Sequence, residues 1–274
     1  MQKRTRTILF VACLLLFFLA APSAILYSQG YRFDFDQKRI TQTGAFYAKV
    51  SPRGAKIYLN NKLRGATSFI DSSLLVENLL PGKYEIEIRK DGYHSWQKTL
   101  IVREREVSEA KHVTLFPQNI NAEFIASDQE EIKTILAGTQ LNNNAQVEIP
   151  ETLIDFDFSG FEISPDKKRA LYFTEHEVIV LFLETQYDLG QSQGNKIFLT
   201  RFSEKIGKAV WLNNYYILFN VGNGLKITEI DNRDRLNMID LFEYKNPEIY
   251  WDRNAKNLYL LSEGNLYKAS SLLP

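Results

Sequence analysis

Pro52-Arg53-Gly54-Ala55-Lys56-Ile57-Tyr58-Leu59-Asn60-Asn61-Lys62-Leu63-Arg64 is the stretch from which the rest of the chain is read. Ala55 to Leu59 alternates in strand period. Asn60-Asn61 then predicts a tight hairpin, because Asn tolerates the left-handed backbone such turns require. Lys62 to Thr67 is the return strand. Upstream, Phe46 to Val50 reads as a strand ended by Ser51-Pro52-Arg53-Gly54. Downstream, Leu79-Leu80-Pro81-Gly82 supplies a second turn, and Tyr84 to Arg89 is the cleanest period-2 run in the chain, with Tyr84, Ile86 and Ile88 on one face. Gly54 and Gly82 are expected where turns need unusual backbone angles. Asp91-Gly92 is a further turn, and Thr99 to Val102 a last core strand. Arg103-Glu104-Arg105-Glu106 reads as a solvated strand end or hairpin, and Leu115-Phe116-Pro117 closes the unit.

Pro52-Arg53-Gly54-Ala55, then Leu80-Pro81-Gly82-Lys83-Tyr84, then Lys90-Asp91-Gly92-Tyr93 resemble the PEGA domain in order and spacing. The resemblance covers about 70 of the 274 residues, the size of a small domain. It implies a small β-sandwich of a kind common in bacterial and archaeal envelope proteins, without catalysis. The residues that carry it, Pro52, Gly54, Ala55, Pro81, Gly82, Gly92 and Tyr93, are read as structural. Arg53 stands where the family has Glu, so no acid acts there. Thr67-Ser68 replaces the usual Thr-Pro, which leaves that strand end less defined. Tyr93 and Trp96 are expected to close the core; stacking on a sugar ring is the sharper alternative, since an amphipathic aromatic can bury one face and present a polar tip.

At the N-terminus Lys3, Arg4 and Arg6 precede an uncharged stretch from Thr7 to Tyr31. Thr7 to Leu26 counts 20 residues, about 30 Å of helix, the thickness of the hydrocarbon layer. The one-sided charge places the N-terminus in the cytoplasm and the bulk of the chain outside it. The apolar run exceeds the usual signal-peptide core, which favours an uncleaved single-pass anchor over cleavage near Ala21-Pro22-Ser23. The expected organisation is a cytoplasmic stub at 1–6, a transmembrane helix at 7–27, a juxtamembrane segment at 28–44, the PEGA-like β-sandwich at 45–117 and a further region at 118–274. In the juxtamembrane segment, Asp34 and Asp36 alternate with aromatics. They read as a solvated strand face, because a calcium loop needs more oxygens and a glycine turn.

The last region looks repetitive. Units beginning at Phe161, Val210 and Ile249 each read strand, polar turn, strand, short turn, strand. Pro165, Leu212 and Asp252 fall 47 and 40 residues apart, in the range of propeller blades. The Ile163-Ser164-Pro165-Asp166 and Tyr250-Trp251-Asp252 turns resemble those of β-propeller blades. Asn121 to Pro150 is a candidate degenerate first blade. The expected fold class is therefore mainly β: an N-terminal transmembrane helix, a small sandwich, then blade-like repeats in an open or minimal propeller.

The whole chain has 33 basic and 33 acidic residues. Three of the basic ones lie in the stub, so the remainder is mildly acidic, which argues against nucleic acid. One Cys (Cys13) and three His (His94, His112 and His176) leave no disulfide and little material for metal sites. No phosphate loop, nucleophile elbow or zinc helix is present in the sequence. No cofactor, metal or catalytic residue is expected. The leading functional expectation is a non-enzymatic, membrane-anchored envelope protein that binds wall polymer, glycan or an envelope protein through loops on a β scaffold. The alternative is an extracytoplasmic glycan-active hydrolase using paired carboxylates, with Asp155 and Asp157 first in line. A transmembrane sensor is disfavoured by the six-residue stub.

Overall fold

The computed structural model describes residues 3–141, 158–270 and 272–273. The protein is mainly β, with two α-helices among those residues. Helix α1 (Lys3–Ser28) buries none of its apolar side chains, and Arg4–Ser28 is long and apolar enough to cross a membrane. A helix that is apolar on every side suits lipid, where its backbone is satisfied internally.

Strands β1 (Tyr31–Asp34) and β2 (Arg39–Gln42) form an antiparallel hairpin directly after α1. The expectation of a solvated aspartate face is corrected here. Asp34 is buried, and its Oδ1 accepts the N–H groups of Asp36 and Gln37 to shape the turn. Asp36 is exposed, as expected, and so are the aromatics Phe33 and Phe35.

A two-sheet sandwich follows. It is built from β3 (Gly44–Ser51), β4 (Lys56–Leu59), β5 (Lys62–Ala66), β6 (Ser73–Leu79), β7 (Gly82–Arg89), β8 (Trp96–Val102) and β9 (Val107–Thr114). One sheet runs β6-β3-β9 and the other β5-β4-β7-β8. Phe46 and Val50 from the first face Ile57, Leu59, Ile86, Ile88 and Leu100 from the second, all in one buried cluster. Alternation explains this: the apolar phase of each strand points inward and the charged phase outward. The β4–β5 hairpin turns on Asn60 and Asn61 with φ of 49° and 62°, the left-handed pair its sequence predicts. Gly54 also has a positive φ, 77°, and a Cβ there would meet the Phe69 ring at 3.2 Å. Gly82 departs from expectation. It has no positive φ and simply opens β7; the left-handed residue near that turn is Asn78. Strands β6 and β9 were not legible, because each is amphipathic only weakly and β9 joins β3 in parallel from far along the chain.

The remaining region comprises β10 (Ala122–Ala126), α2 (Gln129–Leu141), β11 (Gly160–Ile163), β12 (Arg169–Phe173), β13 (Glu177–Phe182), β14 (Lys196–Arg201), β15 (Ile206–Trp211), β16 (Tyr216–Val221), β17 (Gly224–Glu229), β18 (Met238–Glu243), β19 (Glu248–Asp252), β20 (Asn257–Ser262) and β21 (Asn265–Ala269). It forms three four-stranded antiparallel sheets, ordered β11-β12-β13-β14, β15-β16-β17-β18 and β10-β21-β20-β19. Each repeat thus has a strand beyond the three read from sequence. In the first two it follows in order, as β14 and β18. In the third it is β10, from the start of the region. Asn121 to Pro150 is therefore not a first blade: its described part gives the closing strand of the last sheet and helix α2. That helix is capped by Asp128, whose Oδ1 accepts from Glu130 and Glu131, and packs Ile132 and Leu136 on Leu266. No closed barrel or propeller is found among the described residues.

The turns after β11, β15 and β19 use one device. Asp166 Oδ1 accepts from Lys168 N, Asn213 Oδ1 from Tyr215 N and Tyr216 N, and Asp252 Oδ1 from Asn254 N and Ala255 N. A short polar side chain that bonds the backbone two residues on makes a turn at low entropic cost.

Candidate functional site

Strand β8 is an edge of the sandwich, and an unprotected edge exposes backbone donors and acceptors. Here side chains from the 231–237 loop, between β17 and β18, cover it. Asn237 Oδ1 accepts from Gln97 N at 2.9 Å, Asn237 Nδ2 donates to Gln97 O at 3.0 Å, and Asp234 Oδ2 accepts from Thr99 N at 2.7 Å.

Beneath that edge lies a buried ionic cluster. In β8 the inward phase is Trp96, Lys98, Leu100 and Val102, so the lysine points where an apolar residue is expected. Lys98 Nζ lies 2.8 Å from Glu229 Oε1 and 3.7 Å from Asp231 Oδ1, and donates to Asp231 O at 2.6 Å. The Lys98 side chain is fully buried. Glu229 Oε2 accepts from Trp96 Nε1 at 2.8 Å, and its Oε1 from Asn237 N and Nδ2 at 3.0 and 2.7 Å. Burial pushes the Glu229 carboxyl above its usual range, with Lys98 pulling part of the way back. For Asp231 burial is again the largest influence, but the hydrogen bonds and charge of Arg233 with the charge of Lys98 outweigh it and hold the carboxyl low.

A shallow cleft with about 20 Å³ of water-accessible space lies beside this cluster, between sandwich and sheets. His112, from β9, forms one wall. Its ring stacks on Tyr215 at 3.5 Å between centroids, nearly parallel, and Nε2 lies 2.8 Å from Asp188 Oδ2. Burial lowers the His112 pKa, opposed by Asp188, so the neutral ring is the form the fold favours at neutral pH. Arg233 spans the opening, gripping both Asp231 oxygens and donating to Glu109 O at 2.9 Å. Behind Tyr215, the fully buried Arg169 stacks its guanidinium 4.7 Å from the ring centre. Asp166, Asn214 O and Gln186 hold it at 3.1, 2.9 and 2.7 Å. Thus the Ser164-Pro165-Asp166 turn anchors the arginine that backs the cleft wall. Tyr216 OH, fully buried, accepts from Thr114 N at 2.9 Å, and its pKa is pushed well up by burial.

A second polar cluster joins the three sheets. Glu162 of β11 accepts from Trp211 N of β15 at 2.8 Å and pairs with Arg253 beyond β19. Burial raises the Glu162 pKa against the pull of Arg253. Lys208 stands over the Tyr250 ring at 4.8 Å, its pKa lowered by burial.

The residues singled out in the sequence are placed as follows. Trp96 is 3% exposed with its Nε1 committed to Glu229, which leaves no open ring face for a sugar. Tyr93 is half-buried against the sandwich core and bridges to Pro117. Pro52, Gly54, Ala55, Pro81, Gly82 and Gly92 lie in turns and strand starts of the sandwich. His94 sits beside the interface, with its N–H on Phe116 O. His176 occupies the β12–β13 turn, away from the cleft. Asp155 and Asp157 lie outside the described residues. Among those described, no group of three metal-binding side chains is found. Sequence reasoning missed Lys98, His112, Asp188, Tyr215, Glu229 and Asp231. Only Lys98 offered a signal, as a charge that falls in the inward phase once the strand is extended back past Thr99.

No curated protein matches the chain. Among solved structures it is similar to a Bacteroides fragilis protein provisionally assigned as a 6-phosphogluconolactonase, at 10% identity over 85% of this chain and 82% of that one, with a TM-score of 0.30. A Bacteroides uniformis protein with the same provisional assignment is 11% identical over 85% and 83%, also with a TM-score of 0.30. The major pilin subunit of Bacillus cereus, as the D312A variant, is 11% identical over 85% and 86%, with a TM-score of 0.25. Likeness at that level carries no argument about activity. Residues 47–115 match the family model of the PEGA domain, which points to an extracellular or envelope protein and agrees with the sandwich built on the Asn60-Asn61 hairpin.

Proposed function

We propose that this chain is a non-enzymatic, membrane-anchored envelope protein whose PEGA module holds a blade-like β module at a fixed distance from the bilayer and whose inter-module cleft binds a glycan or wall polymer. Helix α1 is the anchor, with the stub in the cytoplasm and the rest outside. The three meander sheets, the last completed by β10, are read as an open or minimal propeller. The observation that carries the proposal is the buried Lys98–Glu229–Asp231 cluster. It fastens the module that follows the anchor to the module that supplies Tyr215, so both walls of the cleft are held in one geometry. A preorganised cleft loses less entropy on binding. Both faces of the Tyr215 ring are taken, by His112 and Arg169, so recognition falls to the polar groups beside it: Glu109, Lys111, Asp188 and Arg233 offer the planar and charged partners that suit sugar hydroxyls.

The test uses the full chain in lipid nanodiscs with soluble peptidoglycan fragments and envelope polysaccharides. Saturable retention without product, weakened by Lys111→Ala, supports the reading. Release of shortened sugars overturns it in favour of a hydrolase. No retention of any polymer removes the binding role.

A further inference from the structure

The β1–β2 hairpin is inside out. Its register places Arg32 opposite Thr41 and Asp34 opposite Arg39 on one face, and Phe33 opposite Ile40 on the other. The polar face is the one turned to the sandwich. Arg32 Nη2 donates to Asn78 Oδ1 at 2.8 Å, Thr41 bonds Glu104, and Arg39 lies 3.6 Å from Glu104. The apolar face is turned away. Phe33, Phe35 and Ile40 are 47, 80 and 62% exposed, and Phe33 and Phe35 pack edge to face at 4.9 Å. A hairpin in water buries its apolar face and solvates the polar one; this arrangement is the reverse.

Its place in the chain identifies the missing partner. Helix α1 ends at Ser28 and β1 begins at Tyr31. Phe33 is five residues past the helix, at most about 18 Å of extended chain. The real separation is shorter, because the chain turns at Gly30 (φ 84°) and Arg32 Nη1 donates back to Tyr27 O at 2.8 Å, with its guanidinium 3.6 Å over the Tyr27 ring. The apolar face is thereby tied to the end of the apolar helix, at the depth where headgroups meet acyl chains.

We propose that the Phe33–Phe35–Ile40 face is a membrane foot that inserts into the interfacial layer of the same bilayer α1 spans and fixes the tilt of the sandwich above it. This rests on the reading of α1 as a span. Apolar side chains gain by entering the headgroup–acyl boundary, and a second attachment point restrains the swivel that a single helix leaves free.

The experiment reads both claims separately. The full chain carrying Phe35→Trp is reconstituted in phosphatidylcholine–phosphatidylglycerol nanodiscs, with and without brominated acyl chains. The native Trp96, Trp211 and Trp251 are buried and supply a constant background; Phe124→Trp, an exposed site on β10, is the control. Cys13, the only cysteine, reports the span through its reactivity with a water-soluble maleimide. Protection of Cys13 together with a blue shift and bromine quenching confined to the Phe35→Trp variant supports the foot. Protection of Cys13 with no more quenching than the control overturns the foot and leaves the anchor. A blue shift that follows protein concentration in detergent, without bromine quenching in nanodiscs, assigns the face to a second copy of the chain and also overturns it. Labelling of Cys13 in nanodiscs overturns both readings.

Discussion

The ammonium of Lys98, on the sandwich strand β8, lies 2.8 Å from the carboxylate of Glu229, on β17 of the second sheet, and neither side chain is more than 5% exposed. Each charge is tolerable in the interior because the other is there and because backbone, Trp96 and Asn237 occupy the remaining hydrogen-bonding positions. Lys98→Ala, which leaves two carboxylates without that partner, should destabilise the protein by about 3–5 kcal/mol in urea unfolding. The double variant Lys98→Met/Glu229→Gln should recover most of the loss, since it removes both charges together. Equal losses for the single and double variants would show that packing, rather than charge, joins the modules.

His112 makes stability depend on pH. Its folded pKa lies below the ordinary value of 6.5 because burial disfavours the imidazolium, although Asp188 opposes the shift. The unfolded chain therefore binds the proton more readily. The stabilising contribution is complete above pH 6.5 and is lost as pH falls through the lowered folded value. His112→Phe keeps a ring on Tyr215 but does not titrate. The difference in unfolding free energy between the two proteins should therefore change slope in that window and be flat above it.

Glu162 is shared by three sheets, accepting from Trp211 N and pairing with Arg253. Glu162→Ala strands the arginine, whose Nε is already buried without a hydrogen-bond acceptor, and leaves the Trp211 amide unpaired. The expected cost is about 3–5 kcal/mol, read as a lower midpoint in chemical unfolding. A shift no larger than that of an exposed substitution such as Lys133→Ala would mean the sheets are held by their apolar contacts alone.

The β4–β5 turn sets local register. Asn61 has a φ of 62°, so Asn61→Val should cost at least about 1–2 kcal/mol, whereas Asn61→Gly should be close to neutral. Thermal unfolding of the two variants separates backbone strain from any general effect of losing the amide.

Much of the architecture was determined by sequence alone. The apolar run after Arg6, the Asn60-Asn61 pair, the period-2 alternation of Tyr84 to Arg89 and the three repeated turns at Asp166, Asn213 and Asp252 are local signals. Backbone preference and side-chain periodicity express them without help from distant residues. What tertiary structure decided lies wherever partners come from far apart. Strand β10 completes the last sheet from nearly 150 residues away in sequence, and β9 pairs in parallel with β3; neither pairing leaves a periodic trace. The cleft depends on His112 meeting Tyr215 and Asp188, residues with no motif of their own. Lys98 marks the boundary between the two kinds of information. The strand read from sequence begins at Thr99 and leaves Lys98 out; only β8 as folded puts its charge in the inward phase, and Glu229 became its partner only when two modules packed, because the free energy of a buried ion pair belongs to the interface and to neither strand alone.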